Sequence, residues 1–290
     1  MIELPDEKWT PQVMVTGIGD LGVRVLLKMS KTQREELNLC AIVSDKTQLE
    51  GHENQFSAFY VGDACLMGQQ SDLYQRMRKG AMFLIVADSS NMFSVRAVSA
   101  IASAGQDMVS FALLMTADDN QEQSDYINQT RAIYMTSEVL RRQCELQTGL
   151  FEDEIDVLAE TAMEMATMPF HNLIGFDVAD MQEAFSRPGK MTAVFGQGNT
   201  AEDAVDNLLM TVEKVGVDLR RCKLAVFSMS GAPDRLSLYD VNEAPGLLAK
   251  KMGRDVDSLC GGQLTLFSAP LDESLGDKLK IFAVFCEGKK

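Results

Sequence analysis

Apolar and polar positions along this chain follow two alternating periods. Runs of consecutive apolar residues recur at 12–16 (QVMVT), 37–43 (LNLCAIV), 82–87 (MFLIVA) and 109–115, with a shorter one at 132–135. Runs of this length between glycine or capping residues predict strands buried on both faces. Helical spacing fills the gaps. Val23, Leu26, Leu27 and Met29 follow the first run. After the third, the N-cap types Asp88, Ser89, Ser90 and Asn91 open a helix that should reach about Ala104, before Gly105. Strand and helix in alternation predict a parallel, doubly wound, Rossmann-like sheet.

The stretch 151–181 (FEDEIDVLAETAMEMATMPFHNLIGFDVADM) divides the pattern. Ile155, Leu158, Ala159, Ala162 and Met165 recur at helical spacing, and Glu152, Asp153 and Glu154 suit the positive end of a helix dipole. Pro169 should stop this central helix. A loop carrying two carboxylates three apart, Asp177 and Asp180, should follow. Beyond it the pattern restarts: strand 190–196, helix 201–215, strand 222–229, helix 240–252, then strands 263–268 and 278–286. This reads as a smaller α+β unit with a mixed sheet. The expected division is a Rossmann-like unit over 1–150, the central helix and acidic loop over 151–181, and the α+β unit over 182–290.

Charge narrows the function. With 42 acidic against 27 basic residues the net charge is -15, which argues against nucleic acid and anionic membranes as partners. No apolar run approaches the ~18 residues of a membrane-spanning helix. The N-terminus MIELPDEKWT is no secretory signal, so an integral membrane protein is not expected and the compartment should be the cytoplasm. Cys40, Cys65, Cys144, Cys222, Cys260 and Cys286 form no C-x-x-C pair and read as buried, reduced thiols. His52 and His171 both fall in expected surface loops.

The turn GIGDLG, with Gly17, Gly19, Asp20 and Gly22, sits between a strand and a helix and fits G-x-G-x-x-G. Such a turn presents backbone N–H groups to phosphate oxygens. It equally fits a tight strand-to-helix turn with no ligand. In a dinucleotide fold, the acidic residue for the ribose comes ~20 residues further on, and Asp45 comes later than that. No catalytic His or Tyr-Lys set accompanies it, so an NAD-type oxidoreductase is the weakest reading.

Taken together, these pieces resemble FtsZ, of the tubulin superfamily. The segment 241–285 (VNEAPGLLAKKMGRDVDSLCGGQLTLFSAPLDESLGDKLKIFAVF) is similar to the family's final helix and strands, including the acidic DESLGD turn. GKMTAVFGQGNTAEDAVDNLL (189–209) resembles the strand, glycine turn and helix that open its second domain. AIVSDKTQL (41–49), DVL (156–158) and FDVADM (176–181) resemble its second-strand loop, central helix and following loop.

The resemblance implies a tubulin/FtsZ-like fold, GTP or GDP with Mg as cofactor, and head-to-tail association with itself or another FtsZ-like chain. It implies that Asp177 and Asp180 act on the nucleotide of a neighbouring subunit. It places Gly17, Gly19, Asp20, Gly22, Asp45, Asp88, Ser89, Ser90 and Asn91 around a nucleotide. Asp156 falls at the guanine-reading position, or is a solvated helix charge. Three departures stand out. Gly175 replaces the asparagine that precedes the acidic pair. Asp20 replaces a glycine facing the phosphates. Residues 88–96 (DSSNMFSVR) replace the family's glycine-threonine signature, adding the Asp88 charge and the bulk of Met92 or Phe93. Bare backbone N–H groups at glycine are what hold phosphates in such a loop. At ~4 Å and an effective dielectric near 20, one carboxylate against a phosphate charge costs about 4 kcal/mol, unless Arg24, Arg96 or a metal offsets it. The segment 116–136 is also short and lacks the family's glutamate-arginine pair.

The expected function is therefore a cytoskeletal pseudo-GTPase, a scaffold in cell division or membrane remodelling. A membrane-associated protein is a further expected partner. The family's flexible linker and terminal peptide have no counterpart after Phe285, so a partner should use the folded surface. A working but atypical GTPase is the alternative.

Overall fold

A computed structural model describes residues 13–32, 37–52, 54–60, 82–104, 110–116, 131–168, 170, 178–185, 190–261 and 265–287. Its strands are β1 (Val13–Ile18), β2 (Leu37–Val43), β3 (Ser57–Tyr60), β4 (Met82–Asp88), β5 (Ser110–Thr116), β6 (Arg131–Thr136), β7 (Lys190–Gly198), β8 (Cys222–Gly231), β9 (Leu266–Ser268) and β10 (Leu279–Glu287). Its helices are α1 (Gly19–Met29), α2 (Met92–Ala104), α3 (Ser137–Leu146), α4 (Glu154–Thr167), α5 (Val178–Ala184), α6 (Ala201–Lys214), α7 (Leu238–Lys251) and α8 (Val256–Cys260).

The strands form one sheet in the order β3-β2-β1-β4-β5-β6-β7-β10-β8-β9. From β3 to β6 every pairing is parallel. Alternate residues of β1 and β4 serve different cores, as the period of two requires. Val13, Val15, Met82, Leu84 and Val86 pack with α1 and α4 on one face. Met14, Ile18, Phe83, Ile85 and Ala87 pack with Ala97, Val98 and Ile101 of α2 on the other. This is the doubly wound arrangement expected from the apolar runs. The mixed part follows: β10 runs antiparallel between β7 and β8, and β9 lies parallel to β8.

The seam between the two parts depends on side chains. β6 and β7 share a single register pair, Ile133 with Met191. Past that point α3 satisfies the edge of β7. Gln143 Nε2 donates to the Ala193 carbonyl and its Oε1 accepts from Phe195 N, each at 3.1 Å. Gln147 Oε1 accepts from Gln197 N at 3.1 Å, and its Nε2 donates to Thr211 Oγ1 at 2.8 Å. Both glutamines are buried, where unpaired backbone groups would be costly. Phe195 stacks between Phe151 and Phe282, each centroid 5.1 Å away, and so joins the turn before α4 to the mixed part.

One expectation is corrected, two elements are additional, and one strand is described in part. Asp180 lies in α5, not in a loop; the sequence VADMQEA is compatible with a helix and puts the acid in its first turn. The short edge strand β3 and the helix α3 had no counterpart in the sequence reading. The strand expected at 263–268 is described only over Leu266–Ser268. Asp177, His171, Cys65 and Pro169 lie outside the described residues. α4 ends at Thr167, capped by Met168.

Candidate functional site

The β1–α1 turn uses its glycines for two different reasons. Gly19 has φ +68°, the left-handed region that L side chains rarely adopt. Gly17 and Gly22 are needed for contact. A Cβ on Gly22 would stand 2.3 Å from the Gly17 carbonyl carbon, and one on Gly17 would stand 2.4 Å from the Gly22 oxygen. The strand and its helix therefore touch backbone to backbone. Across from them, buried Ser94 of α2 brings its Oγ within 3.4 Å of where a Gly19 Cβ would be.

Asp20 and Asp45 meet through one glutamine. Asp45 caps the 3₁₀ turn Lys46–Leu49, accepting from Thr47 N at 2.9 Å. Gln48 closes the capping box, its Oε1 accepting from Asp45 N at 3.2 Å. The Gln48 Nε2 then donates to Asp20 Oδ1 at 2.8 Å. Hydrogen bonds from Thr47 hold the exposed Asp45 carboxyl below its ordinary range. Asp45 thus caps a turn, with one carboxylate oxygen engaged by Thr47 N.

The β4–α2 loop is closed in on itself. Asp88 Oδ1 accepts from Ser90 N at 2.8 Å and from Ser90 Oγ at 2.7 Å. Ser89 donates to the Met115 carbonyl through both N, at 2.9 Å, and Oγ, at 3.1 Å. Asn91 Oδ1 caps α2, accepting from Phe93 N at 2.9 Å and Ser94 N at 3.4 Å. Asn91 N donates to the Asp88 carbonyl and Val95 N to the Asn91 carbonyl. The backbone N–H groups of Ser89, Ser90, Asn91, Phe93, Ser94 and Val95 therefore all donate within the protein. Of the four expected N-cap residues, only Asn91 caps the helix. Met92 stands 64% exposed at the start of α2, while Phe93 packs toward the sheet. Arg24 and Arg96 are exposed.

Asp156 sits in the first turn of α4, beside the N-cap Asp153. Its Oδ1 lies 2.6 Å from Lys28 Nζ of α1, and its Oδ2 accepts from Glu152 N at 2.9 Å. Burial works against its charge, but Lys28 and the backbone donors outweigh it and hold the carboxyl below its usual range. Asp156 is thus a partnered joint between α1 and α4. Asp180 is half-buried on α5.

A cluster that sequence reasoning missed lies further along α4. Lys280 of β10 is 3% exposed, and its Nζ contacts Glu160, lies 2.9 Å from Glu164 Oε1 and 3.7 Å from Asp272 Oδ2. The only signal was a lysine at the start of the apolar run KIFAVF. It borders a cleft of about 530 Å³ whose walls include Lys28, Asp156, Glu160, Met163, Asp272 and Lys280. Among the described residues, no group of three or more His, Cys, Asp or Glu is arranged for a metal ion. Burial pushes the Cys144 thiol up to about 11 and the Cys222 thiol up to about 12, so neither is poised as a thiolate ligand or nucleophile. No described helix is long and apolar enough to cross a membrane.

A parallel sheet, a central helix and a mixed sheet in this order define a tubulin/FtsZ-like fold, and solved structures bear this out. The chain superposes on an empty FtsZ dimer from M. jannaschii with TM-score 0.74 at 14% identity, covering 97% of this chain and 89% of that one. An FtsZ W319Y mutant from M. jannaschii gives 0.72 at 15% identity, covering 96% and 91%. CetZ from Methanosaeta thermophila gives 0.63 at 12% identity, covering 96% and 87%. No protein-family model and no curated protein matches the sequence. The fold is shared; at these identities the loops that would touch a ligand are this chain's own.

Proposed function

We propose that this chain is an FtsZ/tubulin-like cytoskeletal protein with weak or lost GTP binding, acting as a self-associating scaffold. The observation that carries the reading is the β4–α2 loop. Phosphate binding by such a loop needs unengaged N–H groups and no opposing charge. Here six N–H groups already have partners, and Asp88 adds a carboxylate. Asp20, Asp45 and Asp156, the other acids expected near a nucleotide, are each engaged by Gln48, Thr47 or Lys28. GTP or GDP with Mg therefore fits these residues poorly, and no hydrolytic step is assigned to them.

Self-association is supported by the similar structures. One FtsZ structure is a dimer, and TubZ structures include GDP-form protofilaments and a two-stranded filament. In this reading Asp177 and Asp180 are contact residues toward a neighbouring subunit. The working assembly serves cell division or membrane remodelling in the cytoplasm, with a membrane-associated protein as partner. Equilibrium binding of labelled GTP, paired with sedimentation over rising protein concentration, tests this. The expected result is pelleting without saturable GTP binding at micromolar protein. Tight binding with hydrolysis that climbs with protein concentration would overturn it.

The second reading, an atypical GTPase, draws on one observation: α1 begins at Gly19, and its N-cap residue Ile18 offers no side-chain cap. It requires that Asp180→Ala lower turnover while leaving nucleotide binding intact, and an inactive parent chain ends it.

A further inference from the structure

Glu164 faces polar groups of three strands from the middle of α4. Its Oε1 lies 2.9 Å from Lys280 Nζ on β10 and accepts from Ser230 Oγ of β8 at 3.5 Å. Its Oε2 accepts from Ser228 Oγ at 3.3 Å, and Ser228 Oγ lies 3.2 Å from Ser268 Oγ on β9. The charged groups around it are Lys280, Glu160 one turn earlier on α4, and Asp272 from the β9–β10 connection. Lys28 of α1 is taken by Asp156, two turns away. Three carboxylates thus surround one ammonium, and Glu164 and Lys280 are both buried.

Two features make this arrangement a proton site. First, like charges that share a buried cation cannot all ionise cheaply, and one of them holds a proton to higher pH than usual. Second, the serines accommodate either state. With Glu164 ionised, Ser228 donates to it. With Glu164 protonated, the carboxyl donates to Ser228, whose hydroxyl turns to Ser268. Neither state strands a polar atom.

We propose that Glu164 is a proton-operated joint between the central helix and the C-terminal strands: protonated, it docks α4 firmly on β8, β9 and β10, and deprotonated, it loosens that docking. Burial, opposed by Lys280 and reinforced by Glu160, sets the Glu164 carboxyl above its ordinary value. The sign follows from linkage. An acid whose folded pKa is raised contributes stability below its unfolded value, and that contribution is lost as pH rises through the folded one. The joint touches neither the glycine turn nor the β4–α2 loop, so it stands or falls independently of the function proposed above.

The test uses the full chain with ¹³C-labelled glutamate, the Glu164 carboxyl signal being assigned by its absence in Glu164→Gln. The expected midpoint lies above the ordinary value of a glutamate carboxyl. Amide exchange in α4 and β10 should quicken across the same midpoint in the parent and not in Glu164→Gln. A midpoint at or below the ordinary value overturns the proposal, as does exchange that quickens equally in the variant or uniformly over the whole chain. If Glu164→Gln does not fold, Ser228→Ala serves instead: it removes the switchable hydroxyl and should move the midpoint, and an unmoved midpoint refutes the relay.

Discussion

Replacing Lys280 by methionine tests whether charge or packing joins the central helix to the mixed sheet. Methionine keeps the length and apolar stem of lysine but removes the ammonium. Glu164, itself buried, is left with serine hydroxyls and the like charge of Glu160. Breaking a buried pair by removing one partner costs about 3–5 kcal/mol. Solvent screening does not reduce this figure, because Lys280 is 3% exposed. The ammonium is also held strongly protonated, since Glu160 and Glu164 overcome the opposing effect of burial. Urea unfolding followed by circular dichroism should therefore show the unfolding free energy fall by that amount at pH 7. The deficit should widen as pH rises above the ordinary carboxyl range, because the orphaned Glu164 carboxyl is driven to ionise against burial. Adding Glu160→Gln and Glu164→Gln to the same chain should recover most of the loss, as neutral side chains need no counter-charge. A loss below about 1 kcal/mol, or no recovery in the triple variant, refutes the argument that Lys280 is what neutralises the carboxyls of this cluster.

Two further substitutions probe the glycine turn and the α1–α4 joint. Gly19→Ala should lose about 1–2 kcal/mol for its left-handed backbone. Gly22→Ala should lose about 3 kcal/mol or more, because its Cβ would meet backbone 2.3 Å away that cannot step aside. Thermal midpoints in the reverse order would show that the strand and helix are not in contact as described. Asp156→Asn should lose about 1 kcal/mol, since the Lys28 pair is partly exposed. The lowered carboxyl means this contribution exists above the unfolded value near 3.9 and fades as pH falls through the folded one. Parent and variant stabilities should therefore converge on acidification, and a gap that stays constant at low pH counts against the pair.

The sheet was legible because its strands are buried on both faces and so appear as unbroken apolar runs; β1, β4 and β10 are buried almost throughout. β3 was not, because it is four residues at an edge with Tyr60 and Ala58 exposed. α3 was hidden by its polarity: the glutamines it buries against β7 look like solvated positions in a linear reading. The candidate site was legible in its residue types but not in its roles. Asp88, Ser90 and Asn91 are what a helix cap, a tight turn or an anion cradle would all use, and only distances decide among them. The Lys280 cluster escaped altogether, since its partner Glu160 is 120 residues away in sequence.

The polar residues around the two turns explain how such loops can keep their shape without a ligand. A loop that cradles phosphate leaves its N–H groups to be satisfied by that phosphate, and binding then adds to stability by mass action. In this chain the acceptors are built in: Asp88 and Asn91 serve the β4–α2 loop, while Gln48 and Asp45 serve the neighbouring turn. The loops should then be as well ordered in the empty chain as a phosphate-filled loop is with its ligand. The ion pairs that tie one part of the sheet to the other lie along α4. That helix meets α1 through Asp156 at one end and the C-terminal strands through Glu160 and Glu164 further on. The packing of α4 against both parts of the sheet therefore makes it, with α3, an element through which a change in one part would reach the other.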